Sequence, residues 1–147
     1  MGGHPWFYFV DYQTDINQAL QELRQREFKA GRYNPAMWFP PFPVEPNSPA
    51  PGAKHASIEQ AMEAADADGT RSILDMERIS ATADYAAVTP FPNHRLVQFF
   101  GTDRPTREMI EANDDLFEEL ERGQGVYVIA YRDDKPAEIF FAGYSYD

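Results

Sequence analysis

The chain lacks cysteine, long apolar runs and an excess of basic residues. Without cysteine it can form no disulfide, no Cys-ligated zinc site and no thiol nucleophile. No stretch approaches the roughly 20 apolar residues of a membrane-spanning helix, and the N-terminus has no signal-peptide pattern. Thirteen Lys and Arg against twenty-four Asp and Glu give a formal net charge of −11, which disfavours nucleic acid and anionic membranes. These absences predict a cytoplasmic protein that binds neither nucleic acid nor membrane.

The motifs of common catalytic and cofactor sites are also missing. The three histidines, His4, His55 and His94, lie far apart, and none has the spacing of a metal-binding helix. The chain contains no Walker loop, no GxGxxG segment and no GxSxG elbow. We therefore predict no metal and no cofactor. The sequence favours a non-enzymatic binding or regulatory module that engages a protein partner.

Proline is concentrated in residues 31–56, which we call the proline-rich loop. Seven of the twelve prolines fall between Pro35 and Pro51. Proline fixes φ and lacks an amide donor, so this segment is neither a helix interior nor a central strand. Its aromatic residues, among them Trp38 and Phe42, distinguish it from a solvated linker. The pattern predicts a long ordered loop that lies over the core by its rings, where a functional site is expected.

The hydrophobic pattern predicts an N-terminal strand over residues 5–12, apolar on both faces and therefore covered on both sides. Three helices are predicted after it, with capping residues at the first two starts and glycines near the ends. They begin at Ile16 after Asp15, at Ile58 after Ser57, and at Pro105, and they end near Gly31, Gly69 and Gly123 or Gly125.

The remaining segments complete the predicted fold. Residues 126–132 and 137–144 predict a C-terminal β-hairpin. Residues 72–79 and 85–89 predict strands, and residues 96–100 a strand or a short helix. Because these elements lack a regular βαβ rhythm, we expect one α+β domain over residues 1–147, with a mainly antiparallel sheet and helices on one face.

Residues 66–77 resemble the twelve-residue calcium loop of EF-hands. Asp66, Asp68 and Glu77 fall at its first, third and twelfth positions. The sixth position needs glycine for a sharp turn but holds Arg71, whose Cβ resists a positive φ and whose charge repels a cation. No second hand accompanies the loop. The segment therefore favours an acidic turn after a helix over a calcium site.

The pentapeptide Gly31-Arg32-Tyr33-Asn34-Pro35 resembles the Gly-Arg-aromatic-Asn-Pro element of RES-type toxins, which act on NAD. The resemblance implies that Arg32 clamps a phosphate, since a guanidinium presents paired donors. The same residues also predict a structural role, in which Gly31 ends a helix, Arg32 lies at its dipole-favoured end and Asn-Pro begins a turn.

An enzymatic alternative follows from these residues. In that hypothesis the chain is a small enzyme or a small-ligand-binding protein whose site lies beneath the proline-rich loop. Its candidate catalytic residues are Arg32, Tyr33 and His55 with one carboxylate from Asp11, Asp75 or Glu77.

The third predicted helix is acidic on its non-apolar surface, which is typical of a solvated face or of a dock for a basic partner protein. Asn113 falls within its apolar stripe and is expected to bond to a neighbouring backbone. The candidate partner-binding residues are Asp114, Asp115, Glu118, Trp38 and Phe42.

The C-terminal segment is rich in aromatic residues, namely Phe140, Phe141, Tyr144 and Tyr146. An aromatic strand at a chain end is a candidate pairing edge. We therefore predict a homodimer formed through this strand.

Overall fold

The computed structural model of the chain describes residues 3–37, 42–45 and 47–146. These residues contain five strands, four α-helices and three short 3₁₀ segments. The strands are β1 (Pro5–Asp11), β2 (Arg78–Ile79), β3 (Ala87–Pro90), β4 (Gly125–Arg132) and β5 (Lys135–Tyr144). The helices are α1 (Ile16–Ala30), α2 (Ile58–Ala65), α3 (Asn93–Phe100) and α4 (Arg107–Ala112). The 3₁₀ segments are Asp66–Asp68, Ile73–Asp75 and Asp115–Glu119.

The strands form one mixed sheet in the order β1-β5-β4-β3-β2. β5 lies antiparallel between β1 and β4, whereas β4, β3 and β2 run parallel to one another. α3 and α4 lie in the crossover from β3 to β4, the kind of connection that parallel neighbours require. The α+β class is confirmed. The expected mainly antiparallel sheet and the count of three helices are wrong in these details.

Helices cover both faces of the sheet. Alternate side chains of β1 point to opposite faces, so Trp6 and Tyr8 join one core and Phe7 and Phe9 the other. The first core includes residues of α1 and α2, and the second includes residues of α3 and α4. The prediction that β1 is covered on both sides is confirmed. The expectation of helices on one face is wrong, because the β3–β4 crossover packs its apolar side on the face opposite α1.

The first helix begins and ends where the sequence predicts. Asp15 Oδ1 accepts a hydrogen bond from the Gln18 amide at 3.0 Å, and α1 ends at Gly31 with a φ of 76°. The Gly52 amide donates to the Ala30 carbonyl at 2.7 Å, and a Cβ on Gly31 would lie 2.1 Å from the Gly52 oxygen. Glycine is therefore required here, both for the positive φ and for the close backbone approach.

The predicted third helix is divided by Asn113. Its Nδ2 donates to the Phe99 carbonyl at 2.8 Å, and its Oδ1 accepts from the Asp115 amide at 3.0 Å. Because such side-chain bonds compete with helical ones, Asn113 is extended, with a φ of −137°, between α4 and the 3₁₀ segment Asp115–Glu119. The predicted bond of Asn113 to a neighbouring backbone is confirmed. The prediction of one continuous helix is wrong.

The C-terminal hairpin is confirmed, with β4 and β5 joined at Asp133 and Asp134. Its place in the sheet differs from the expectation. β5 has a paired strand on each side, and Phe140 and Phe141 are buried. β5 therefore has no free edge for the predicted homodimer, because β1 pairs with the edge that β4 leaves open. The homodimer stays a prediction, and the outer strands of the sheet are β1 and β2.

The segment between α2 and β4 differs most from the secondary structure predicted from the sequence. Of the predicted strand over residues 72–79, only the last two residues form a strand, β2. They follow a 3₁₀ turn at Ile73–Asp75. The predicted strand over residues 85–89 corresponds to β3, and residues 96–100 belong to α3. No helix within residues 3–37, 42–45 and 47–146 has the length and apolar character needed to cross a bilayer.

Candidate functional site

Arg32 is held in a buried ion pair with Glu27. Arg32 Nε lies 2.9 Å from Glu27 Oε1 and Nη2 lies 2.7 Å from Oε2, and the two side chains are 4% and 0% exposed. Arg26 Nε also donates to Glu27 Oε2 at 2.9 Å. The hydrogen bonds that Arg32 donates to Glu27 raise the pKa of Arg32. The paired donors that would clamp a phosphate are therefore used within the fold.

Tyr33 ties the two ends of the proline-rich loop together. Its ring is fully buried and stacks on Phe28, with centroids 5.9 Å apart. Its hydroxyl accepts a hydrogen bond from the Lys54 amide at 3.3 Å and lies 2.8 Å from His55 Nδ1. With one lone pair taken by Lys54, the hydroxyl can donate to His55. These contacts position the end of the loop.

The turn of residues 69–75 closes on the carboxyl group of Asp75. Asp75 Oδ1 accepts from the Thr70 amide at 2.8 Å and from the Thr70 hydroxyl at 2.9 Å. Ser72 Oγ lies 2.8 Å from that same hydroxyl. Burial raises the pKa of Asp75 to about 6, even though the hydrogen bonds from Thr70 favour the charged form. The Asn34 amide donates to the Thr70 carbonyl at 2.8 Å, which joins this turn to the start of the loop.

The residues of the calcium-loop pattern do not assemble a site. Asp66, Asp68 and Glu77 are exposed, and Arg71 adopts a positive φ of 54° at the position where a glycine is usual. In the part of the chain that the structure describes, no group of three or more His, Asp or Glu side chains could hold a metal ion.

The six candidate catalytic residues are brought together only in part. Arg32 and Tyr33 adjoin through the chain, His55 bonds to Tyr33, and Asp75 is linked to them through Thr70 and Asn34. Glu77 lies apart and exposed. Asp11 lines three cavities along β1, whereas none of the other five lines a main cavity of the described residues. Their contacts hold the proline-rich loop to α1 and to the 69–75 turn.

The candidate partner-binding residues lie in two places. Asp114, Asp115 and Glu118 are exposed. Phe42 is half-buried, and its ring packs edge-on against Tyr8 with centroids 5.3 Å apart. Trp38 lies outside the described residues. The acidic residues are thus accessible, whereas Phe42 anchors the loop beside β1.

A groove runs along the C-terminal half of β1. Three adjoining cavities of about 230, 290 and 300 Å³ share Asp11 as a lining residue. We call them together the β1 groove. One wall comes from α1, and the other comes from residues 43–45 with Arg107 and Glu138.

The floor of the β1 groove presents backbone groups. The Tyr12 amide donates to the Ala137 carbonyl at 3.1 Å, so the amide and carbonyl of Tyr12 and Val10 face β5. Successive residues of a strand alternate, and the backbone groups of Phe9 and Asp11 therefore face away from the sheet. Between the described residues, no hydrogen bond occupies these outward groups.

The β1 groove carries an excess of negative charge, because five carboxylates line it against three guanidinium groups. The carboxylates are Asp11, Glu22, Glu45, Glu108 and Glu138, and the guanidinium groups are Arg26, Arg107 and Arg132. Arg107 lies over the ring of Phe9 at 4.3 Å from its centroid. It contacts Glu138 at 2.9 Å, Glu111 at 3.2 Å and Glu45 at 3.8 Å. Partial burial lowers the pKa of Arg107, but the adjacent Glu138 and Glu111 outweigh it and leave that pKa raised.

Asp11 adds to this excess of negative charge. It stands opposite Glu138 in the β1–β5 register, and like charges directly opposite are destabilising. Asp11 is exposed, and among the described residues no cation pairs with it. The rim therefore offers carboxylates that the fold itself does not neutralise.

A second cavity, of about 400 Å³, lies between β3 and α3. Phe91, Leu120 and Val126 give it an apolar lining. Its charged groups, Arg95 and Glu119, form an ion pair with each other. Because this pair is already neutral, the cavity offers no charge to select a ligand.

Glu27, Arg107 and Glu138 were not among the predicted site residues. A signal for Glu27 is present, because it continues the apolar positions of α1 at Leu20 and Leu23 with the spacing of a buried helix face. A charged residue on such a face predicts a buried ionic partner. No comparable pattern marks Arg107 or Glu138, whose proximity depends on the bridge between Thr106 and β4 and on the pairing of β4 with β5.

In comparisons with protein families, curated proteins and solved structures, nothing matches this chain. Its function is therefore inferred from its own residues.

Proposed function

We propose that this chain is a non-enzymatic protein-binding module that accepts an extended segment of a partner protein along the outer edge of β1. The observation that carries the proposal is the outward backbone of Phe9 and Asp11 on the floor of a groove. An unpaired strand edge is a template for a further strand, whose main-chain hydrogen bonds supply affinity.

The geometry of the groove supports a short added strand. Phe42 packs against Phe7, with ring centroids 5.9 Å apart, so the loop lies beside the first half of the edge. From Phe9 onward the edge lines the cavities. Each outward residue can form two hydrogen bonds, so Phe9 and Asp11 accommodate a segment of about four residues.

Of the six candidate catalytic residues only Asp11 lines the β1 groove, whereas Arg32, Tyr33 and His55 are engaged elsewhere, which favours the binding function. Arg32 bonds to Glu27, and Tyr33 bonds to His55 and Lys54. The exposed Asp114, Asp115 and Glu118 support an electrostatically steered protein partner.

A comparison of two substitutions at one position tests the proposal. Peptides are selected from a random display library on the immobilised chain, and their affinities are measured by fluorescence anisotropy. Asp11→Pro removes the outward amide donor but leaves the hydrogen bonds to β5, and proline is tolerated on a strand edge. Asp11→Ala removes the same carboxylate and keeps the donor. We expect the selected peptides to bind Asp11→Pro at least tenfold more weakly than Asp11→Ala.

Two outcomes would contradict the proposal. Equal binding to the two variants would mean that the peptides do not pair with β1. A library that yields no enriched peptide would mean that the edge is not a binding site. Circular dichroism of each variant shows that the comparison is made on folded protein.

A further inference from the structure

We infer that the segment bound at β1 alternates basic and apolar residues, with a Lys or Arg side chain placed against Asp11. This inference rests on the proposed function and adds the chemistry of the partner. The occupant of the β1 groove is an extended segment of a basic protein, which the charge distribution of the groove selects.

The two sides of the β1 groove differ in chemistry. A strand added to β1 places alternate side chains on opposite faces of the sheet. On the face of Phe9 and Asp11 these side chains meet the acidic rim, including Glu138 and Glu45. On the face of Val10 they meet α1. One set of partner side chains therefore contacts carboxylates, and the other contacts a helix.

The α1 side of the groove is close to neutral and partly apolar. Ala19 and Leu23 line this side together with Arg26 and Glu22, whose charges are opposite in sign. Hydrogen bonds from Gln13 and Gln18 lower the pKa of Glu22, so its carboxylate stays ionised at neutral pH. A small or medium apolar side chain fits this side without burying an unpaired charge.

The acidic side of the groove favours a cationic side chain of the partner. Arg107 already contacts three carboxylates, and among the described residues neither Arg107 nor Arg132, which lines the same cavity, forms an ion pair with Asp11. An acidic partner residue would meet like charges, whereas Lys or Arg would pair with Asp11 and relieve its opposition to Glu138. The chain as a whole carries a net charge of −11, which steers a basic segment towards it.

Three synthetic octapeptides of fixed pattern test this inference. Each repeats a dipeptide four times, Lys-Val, Thr-Val or Glu-Val, with acetylated and amidated ends, and binding is measured by fluorescence anisotropy. We expect the Lys-Val peptide to bind at least tenfold more tightly than the Thr-Val peptide, and the Glu-Val peptide to bind most weakly. Asp11→Asn should weaken Lys-Val binding about 3- to 10-fold, the effect of one close and partly solvated charge pair.

A matched control separates a specific contact from general attraction between a cationic peptide and an acidic protein. Asp68 is also exposed but lines none of the three cavities, so Asp68→Asn removes the same charge elsewhere. Asp68→Asn should leave Lys-Val binding within twofold of the unmodified chain. Equal weakening by Asp11→Asn and Asp68→Asn would overturn the inference.

The outcomes distinguish this inference from the proposed function. If the Thr-Val peptide binds as tightly as the Lys-Val peptide and both are lost in Asp11→Pro, β1 accepts a strand without selecting charge, and the inference alone fails. If Asp11→Pro and Asp11→Ala bind every peptide equally, the proposed function fails as well. If sedimentation of the free chain shows a dimer that Asp11→Pro dissociates, the occupant is a second copy of the chain, and the basic partner is wrong.

Discussion

Arg32 and Arg107 make similar contacts in opposite surroundings. Arg32 is 4% exposed and meets one carboxylate, Glu27, through two parallel hydrogen bonds. Arg107 is 31% exposed and lies among three carboxylates, with Asp11 nearby in the same cavities. The first arrangement is closed and locally balanced by bidentate pairing. The second is open and retains an excess of negative charge.

This contrast separates charges that maintain the fold from charges that remain accessible to a partner. A buried pair loses much of its stabilisation to desolvation, and removing one member leaves the other charged and unsolvated. Exposed pairs contribute little to stability, but they set the rate and the specificity of association. We therefore expect changes at Arg32 to appear in unfolding and changes around Arg107 to appear in binding.

The largest expected effect is that of Arg32→Ala on stability. It leaves Glu27 buried beside Arg26 alone, and we expect the free energy of unfolding to fall by about 3–5 kcal/mol. Urea denaturation followed by circular dichroism measures the change. A fall below about 1 kcal/mol would mean that the pair behaves as a surface salt bridge.

A double variant sharpens the same comparison. Replacing both members in Glu27→Leu with Arg32→Met removes the charges together and keeps most of the volume. Because no uncompensated buried carboxylate remains, this variant should recover most of the stability that Arg32→Ala loses. A double variant that is as unstable as Arg32→Ala would show that packing around Arg32, and not the charge of Glu27, dominates.

The next effect is the pH dependence of Asp75, a buried carboxyl group that accepts hydrogen bonds from Thr70. Burial raises its pKa to about 6, so the folded state favours the protonated form. The stability linked to this proton is fully present below about pH 4, the pKa of an unfolded Asp, and is lost as the pH rises through about 6. Relative to the unmodified chain, Asp75→Asn should therefore gain about 2–3 kcal/mol in unfolding free energy between pH 4 and pH 8.

Urea denaturation at several pH values measures this change. The difference between Asp75→Asn and the unmodified chain cancels the titration of all other groups. Asp68→Asn, at an exposed site, serves as the control and should show a constant difference across the same range. A constant difference for Asp75→Asn would contradict the raised pKa.

The smallest expected effect is that of Arg107→Ala on stability. Its ion pairs are partly solvated, so the loss should be about 1 kcal/mol or less despite four contacts. Added salt should reduce this loss further, because salt screens exposed charges. Urea denaturation at low and high sodium chloride measures both quantities. A loss comparable to that of Arg32→Ala would remove the distinction between the two arginines.

Much of the local structure could be predicted from the sequence. The two-faced pattern of β1, the capped start of α1 and its end at Gly31 depend on neighbouring residues and were predicted correctly. The division of the third predicted helix depends on a bond from Asn113 to Phe99, fourteen residues away. Apolar periodicity carries no information about such a bond.

The candidate site was harder to predict, because strand pairing brings together residues that are far apart in the sequence. The insertion of β5 between β1 and β4 places Glu138 opposite Asp11, and neither residue shows this in its local sequence. Glu27 is different, because its position on the apolar side of α1 does indicate a buried partner. The identity of that partner, Arg32, depends on the turn that follows Gly31.

The meeting of Gly31 and Gly52 gives the proline-rich loop a property of its own. Because the Gly52 amide reaches the Ala30 carbonyl at 2.7 Å, the chain leaves α1 and returns to the same point. A loop closed at its base can change in length at a small entropic cost, about 0.6 kcal/mol for a doubling. Changes in the length of the segment between these two glycines should therefore cost little through loop closure alone, provided that Arg32, Tyr33 and Phe42 keep the contacts that hold the loop to the core.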